Sequence, residues 1–429
     1  MTGRRVAVLG AGALGLTVAH RMSEAGDRVT VYERESLPGG LAAGFEIEPG
    51  MWLEKFYHHV FRSDRSVAGL IGELGLSDDL AWPRPRTVTL SGGRAYQLDS
   101  PVSLLRFGPL PPIDRLRMGA ALAYLRTLRD PARLEGQTAA AWIRRRMGNR
   151  AYEIVWGPLL RAKFGAAAEE IALPWFWARV HDRSSELGYL RGGFQRLYDR
   201  LAKRIRDAGG EVRLSTEVAE VRRSGAELKV RTSDDEASYD LVVSTLPTTI
   251  TCRLAPQLPA AYRERHDWRR ASGAHCLVLA LDRSLTDSYW MNVNDPGYPF
   301  LALVEHTNYM DAADYGGRHL VYLGNYRPMD DPLLRMSPDE VVDLFTPHVA
   351  RIVPGFDRSW ITDRWAFSAP FAQPIVTTEY RHRIPPFDTP VRGLHVANMF
   401  QVYPHDRGQN YSIELAERLV AHIRDGAAG

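Results

Sequence analysis

Apolar residues along the chain follow two periods. Arg5-Val-Ala-Val-Leu9 is a short continuous apolar run, Ala13 to Ala19 continues with helical spacing, and Arg28-Val-Thr-Val-Tyr32 is extended again. This order predicts a strand, a helix and a second strand. Further strand-like runs are Glu211 to Leu214, Thr216 to Val221, Glu227 to Arg231, Asp240 to Pro247 and Gly393 to Asn398, with helical periodicity over Leu197 to Ala208 and Ser412 to His422. Between these pieces lie extended segments at Thr87 to Leu90 and Arg94 to Leu98. Helical stretches follow at Leu116 to Leu128, Trp142 to Arg146, Tyr152 to Leu160 and Pro174 to Arg179. A second sheet is predicted from His275 to Leu281, Phe300 to Glu305 and His319 to Asn325. The pattern is that of an α/β chain whose C-terminal end returns to its first unit, with a second region inserted between.

The turn between the first strand and helix reads Gly10-Ala-Gly12-Ala-Leu-Gly15, and Glu33 ends the next strand. Gly10 permits the tight turn, Gly12 leaves room for a pyrophosphate beside the backbone, and Gly15 lets the helix pack closely on the sheet. Uncompensated N–H groups at the helix start then hold the phosphates. Glu33, 18 residues after Gly15, is positioned to accept bonds from a ribose diol, which disfavours a 2'-phosphate. The expected ligand is an adenine dinucleotide. A second glycine pair, Gly39-Gly40, would let the backbone approach a large planar cofactor or would simply make a surface turn.

Composition narrows the class. At 429 residues with 45% hydrophobic and 24% charged content the chain can bury two or three compact regions, which excludes a small recognition module and wholesale disorder. The net charge of +3 is small, and lysine stands only at Lys55, Lys163, Lys203 and Lys229, so no concentrated basic patch points to nucleic acid. No segment has eighteen uninterrupted apolar residues, and Cys252 and Cys276 make neither a disulfide framework nor a metal-ligand pattern. Cytoplasmic residence is expected, and no metal.

Candidate chemistry concentrates in Lys55-Phe-Tyr-His58-His59-Val-Phe-Arg62, where aromatic and hydrogen-bonding groups would line the front of the cofactor. His58 and His59 are the candidate catalytic residues, able to orient a substrate oxygen or exchange a proton; packing in the core is the competing role. Arg62 offers an anion contact or a salt bridge. Trp156 to Gly165 joins apolar surface to Arg161 and Lys163, Glu305 to Tyr309 would roof a pocket or form a hydrogen-bonded loop, and Tyr403 to Arg407 approaches from the C-terminal side. Leu104, Leu105, Phe107, Leu110 and the Leu116 to Leu128 stretch would make an apolar entrance capable of transient membrane contact.

The glycine motif, Glu33, Gly39-Gly40, the Asp240 to Pro247 segment and the C-terminal return together resemble the FAD-linked amine oxidase superfamily, in an order similar to its protoporphyrinogen oxidase-like and phytoene desaturase-like branches. The strip from Lys55 to Ser63 resembles the aromatic-histidine strip beside the flavin in UDP-galactopyranose mutase. The resemblance implies a split Rossmann-like FAD-binding domain over 1–60, 190–250 and 365–429, with an inserted mixed sheet and helical substrate domain over 61–189 and 251–364. It also implies noncovalent FAD, with Gly10, Gly12 and Gly15 at the pyrophosphate, Glu33 at the adenosine ribose, Gly39 and Gly40 near the inner phosphate or ribityl chain, and Val218 near adenine. Arg407, Gly408, Gln409 and Asn410 would pass the isoalloxazine edge. Asn398 stands where the family usually has an acid. The implied activity is hydride removal from an organic small molecule; the alternative is a reduced-flavin mutase acting on a sugar nucleotide without net oxidation, and the substrate would be a sugar nucleotide or a hydrophobic metabolite.

Overall fold

A computed structural model of the chain describes residues 3–427. Five parallel strands form its first sheet: β1 (Arg5–Leu9), β2 (Arg28–Tyr32), β3 (Glu211–Arg213), β4 (Leu241–Ser244) and β5 (Leu394–Val396), in the order β3-β2-β1-β4-β5. Val6 to Leu9 are all buried because both faces of this sheet are covered, which is what a continuous apolar run in a parallel strand requires. The helices that build the site are α1 (Ala13–Glu24), α2 (Arg65–Glu73), α3 (Pro101–Leu105), α4 (Pro112–Thr127), α5 (Gly157–Phe164), α6 (Leu173–His181), α7 (Gln195–Asp207) and α8 (Gln409–Ala427).

Alternation along β1 decides what covers it. Val6 and Val8 point into a core shared with Leu16, Val18, Leu197, Leu201, Leu415 and Leu419, so α1, α7 and α8 lie on that face. Ala7 and Leu9 point to the other face, against Val221, Leu228 and Val230 of an antiparallel sheet of Val218–Ser224, Glu227–Thr232 and Glu236–Tyr239. α8 packs on both α1 and α2, so the C-terminal return to the first unit is observed.

The inserted part has two bodies of its own. One is a seven-stranded mixed sheet in the order Ile361–Pro374, Ala271–Leu281, His319–Pro328, Ala302–Glu305, Trp290–Val293, Thr87–Ser91 and Arg94–Gln97, in which only the pairing of Trp290–Val293 with Thr87–Ser91 is parallel. Its outer face is closed by the helix Pro338–Ile352 through Val341, Val342, Phe345 and Val349. The boundary expected at residue 365 falls inside the Ile361–Pro374 strand, which pairs with Ala271–Leu281 along its length. The other body is a helical cluster in which Leu104, Met118, Leu125, Trp142, Ile143, Phe164, Trp175 and Phe176 form one core.

Candidate active site

The glycine turn has the shape its sequence implies. Gly10 sits at φ 101°, where a side chain would be strained, and its N–H donates to the Tyr32 carbonyl at 2.8 Å. A Cβ on Gly15 would stand 1.9 Å from the Gly10 carbonyl oxygen, so the close approach of α1 to the turn depends on that glycine. The Gly39-Gly40 turn abuts the first: Gly39 (φ 121°) donates its N–H to the Ala11 carbonyl at 2.8 Å, and a Cβ on Gly40 would lie 3.2 Å from Gly12 Cα. At Gly12 itself a Cβ would meet only Gly40 Cα, at 3.9 Å, and no side chain caps the start of α1. Space and backbone donors therefore coincide where a pyrophosphate would lie. Glu33 follows β2; its carboxylate accepts the Ala11 N–H at 2.8 Å and the Glu35 N–H at 3.0 Å, and the remaining lone pairs can still take a diol. These residues fit a dinucleotide.

The strip after this cradle is wedged between the two parts of the molecule. Tyr57 packs edge-on to Trp290 (4.8 Å between ring centres) and lies so close over Gly324 that any side chain there would collide with its ring. His58 Nδ1 lies 2.6 Å from the Phe56 carbonyl, which can only accept, so the proton is on Nδ1 and Nε2 is the acceptor. Burial, with a smaller push from Arg407, lowers the His58 pKa to about 4. His59 Nδ1 meets the Tyr289 hydroxyl at 3.2 Å, and burial, followed by Arg183, lowers its pKa to about 3. Both imidazoles are neutral at pH 7, suited to orienting a substrate by hydrogen bonds rather than to delivering a proton as imidazolium.

Facing the strip is a cluster drawn from distant parts of the chain. The Lys163 ammonium on α5 and the Arg179 guanidinium on α6 each approach Asp406 Oδ2 at 2.6 Å, and the Trp175 indole N–H donates to Oδ1 at 3.3 Å. Burial would raise the Asp406 pKa, but Lys163 and Arg179 overcome it and hold the carboxyl well below the usual range. Burial likewise lowers the Lys163 pKa, with Asp406 opposing. Arg407 donates to the Tyr326 hydroxyl at 2.8 Å. α5 is aimed here by the π-helical turn Tyr152–Trp156 just before it, whose Ile154 and Val155 carbonyls accept the Asn294 amide at 2.9 and 3.0 Å.

Several expected contacts resolve differently. Asn398 is buried; its oxygen accepts the Phe400 N–H at 3.0 Å and its amide donates to the Leu246 carbonyl and the Thr248 hydroxyl. The Gln409 carbonyl accepts from Tyr198, and Asn410 caps α2 by accepting the Ser66 and Val67 N–H groups at 2.9 and 3.2 Å. Asn398 and Asn410 are engaged within the fold, whereas the buried Gln409 Nε2 and Arg407 Nε have no protein partner among the described residues, so this segment offers a cofactor those donors together with the backbone at Gly408 and the start of α8. Val218 is buried where its strand begins. Arg62 pairs with Glu186 at 2.7 Å and stacks on Trp82. Glu305 is fully buried and accepts from Ser284, Leu285 and Thr286, so it is held within a hydrogen-bonded loop. Sequence reasoning did not single out Arg179 or Arg183; their spacing of four was the available signal.

A family model described as flavin containing amine oxidoreductase matches residues 15–405. The chain belongs to that family. It is 38% identical over 78 residues to the 15-cis-phytoene desaturase of Synechococcus elongatus, a match covering 18% of this chain and 16% of that protein's length. Its fold is shared by a structure provisionally assigned as a protoporphyrinogen oxidase from Exiguobacterium sp. 255-15 (TM-score 0.78, 16% identity, 99% of each chain). Reduced UDP-galactopyranose mutase has it too (TM-score 0.78, 14% identity, 98% of this chain and 96% of the other). The family is flavin containing, and the dinucleotide cradle described above fits FAD.

Proposed function

We propose that the protein is an FAD-dependent oxidoreductase that removes a hydride from an organic small molecule bound against the Lys55 to Ser63 strip. The observation that carries this reading is the adjacency of a dinucleotide cradle, Gly10 to Gly15 with Gly39-Gly40, to a strip of aromatic and neutral imidazole groups between the two parts of the fold. When bound, the flavin supplies the two-electron acceptor. Gly10, Gly12, Gly15 and Glu33 would hold its adenylate and pyrophosphate, while Gly408 and the start of α8 would run past its ring system. His58 and His59, neutral at pH 7, would orient a substrate oxygen through their ring nitrogens, and Tyr57 and Trp290 would exclude water. Anaerobic addition of substrate candidates should bleach the oxidised flavin absorbance; its persistence across sugar-nucleotide and hydrophobic libraries would overturn the reading.

The cluster of Lys163, Arg179 and Arg407 supports a second reading, a reduced-flavin mutase acting on a sugar nucleotide, since such cations suit a diphosphate. Turnover that needs prior reduction but consumes no reductant would favour it.

Cytoplasmic residence with transient membrane contact belongs to the same proposal. Among the described residues no helix is long and apolar enough to cross a membrane. Leu104, Phe107 and Leu110 are buried, whereas Val102, Leu105, Ile113, Leu116 and Tyr124 on α3 and α4 are each at least half exposed. α4 is apolar on two sides, one packed and one open to solvent. Flotation with anionic liposomes, lost in an Ile113→Asp, Leu116→Asp double variant, is the expected result.

A further inference from the structure

Within the proposed substrate cleft, on which this rests, we infer that Arg183, backed by Arg179, forms a subsite for an oxyanion group of the substrate, a phosphate or carboxylate, and that the cleft rejects the protonated amines for which the family is named. The backbone around Arg183 is tied down on both sides. Ser63 Oγ donates to the Asp182 carbonyl at 2.7 Å, the Arg62 N–H to Ser184 Oγ at 3.1 Å, and the Arg126 guanidinium to the Arg183 carbonyl at 3.2 Å. The neighbouring acids are all engaged. Asp182 receives His405 at 2.7 Å, Tyr411 at 2.9 Å and His181 at 2.9 Å; Glu186 pairs with Arg62; Asp406 is shared by Lys163 and Arg179.

Among the described residues, no carboxylate lies within ion-pair distance of the Arg183 guanidinium, which is exposed to solvent. Desolvation, then the charge of Arg179, lowers its pKa to about 9, with Asp406 opposing. Because Ser63 and Arg62, at the end of the strip, bond to Asp182 and Ser184 on either side of it, Arg183 adjoins the strip. Lys163, Arg179, Arg183 and Arg407 thus meet Asp406 as their only carboxylate in the cluster. A guanidinium fork matches a carboxylate or phosphate in two parallel hydrogen bonds, whereas an ammonium would enter against four cations.

The test uses FAD-loaded protein titrated with inorganic pyrophosphate, malonate and 1,4-diaminobutane, read by flavin difference spectra and by calorimetry. Pyrophosphate or malonate should bind, the stronger of the two naming the oxyanion, and the diamine should not. Arg183→Gln should weaken anion binding at least tenfold with unchanged FAD content and spectrum, and Arg183→Lys should recover part of it. Equal anion binding by Arg183→Gln, no binding to the wild type, or preference for the diamine would overturn the inference while leaving the flavin reading intact. Protein that cannot be loaded with FAD overturns both.

Discussion

Replacing Asp406 by Asn removes the carboxylate that Lys163, Arg179 and Trp175 share, and the expected cost can be worked from the contacts. Breaking a buried ion pair by deleting one partner costs about 3 to 5 kcal/mol, because a charge is left without compensation. Here Lys163 is 11% exposed, Asp406 21% and Arg179 32%, so solvent relieves part of the loss and the lower end, about 3 kcal/mol, is appropriate. Unfolding entropy of about 2.1 cal/mol/K per residue converts this, for 429 residues, into a fall in melting temperature of roughly 3 °C at pH 7. The pH dependence gives a second handle. Asp406 ionises in the folded protein at lower pH than in the unfolded chain, so its contribution is complete above about pH 4 and fades as pH falls through the folded value. Differential scanning calorimetry of FAD-loaded wild type and Asp406→Asn should therefore show a gap that is full at pH 7 and narrows in acid. A gap below about 1 °C at pH 7, or one that widens in acid, would refute the assigned role. Combining Asp406→Asn with Lys163→Met should cost less than the two changes added, since the second removes the charge the first exposes.

Gly12→Val should fold, because only Gly40 Cα borders the new side chain, yet copurify with little FAD; full flavin occupancy would displace the pyrophosphate from this turn. Glu33→Gln should weaken FAD by roughly ten- to a hundredfold, the worth of a charge-assisted hydrogen bond of about 1.5 to 3 kcal/mol, measured as the dissociation constant of reconstituted protein. Glu54 is buried and its pKa rises to about 7, with burial outweighing the Phe194 N–H and Tyr189 hydroxyl that it accepts. The unfolded chain releases this proton first, so stability should fall by about 3 kcal/mol between pH 4.5 and 7 and then level off. Glu54→Gln should flatten that slope in urea titrations at pH 5 and 8, and an unaltered slope would assign it to other groups.

The first strand, turn and helix were legible because every requirement is local: the apolar run, the three glycines and Glu33 lie within 29 residues of one another. The strands that complete that sheet were legible as pieces, each too apolar to stand anywhere but inside. The strand Ile361–Pro374 was harder, since Asp363, Arg364, Pro370 and Pro374 interrupt its alternation and much of it is only half-buried. The helix Pro338–Ile352 carried a readable start, Ser337 and Glu340 in reciprocal capping, but Pro347 within it obscured the period. In the cleft, His58, His59 and Lys163 stood out by residue type. The partnership of Lys163 and Arg179 with Asp406 did not, because it joins residues more than 200 positions apart through tertiary packing alone. Conversely, Glu305 and Asn308 looked chemical because the backbone groups that occupy them, the Leu285 N–H donating to Glu305 and the Thr286 carbonyl accepting from Asn308, lie some twenty residues earlier.

The position of β1 between β2 and β4 has a consequence during synthesis. Its partner on one side, β2, leaves the ribosome almost at once, but β4 begins at Leu241, which at about 5 to 20 residues per second follows Leu9 by roughly 10 to 50 seconds. For that interval the Val6 to Leu9 edge, one of the most apolar segments in the chain, offers unpaired N–H and C=O groups to any neighbouring nascent chain. Arg5 closes the gap only when Asp240 arrives to receive its backbone N–H at 2.8 Å and its guanidinium at 2.9 Å. The nascent polypeptide is therefore vulnerable to aggregation until Leu241 has been translated, and a chaperone that shields β1 would act in that window.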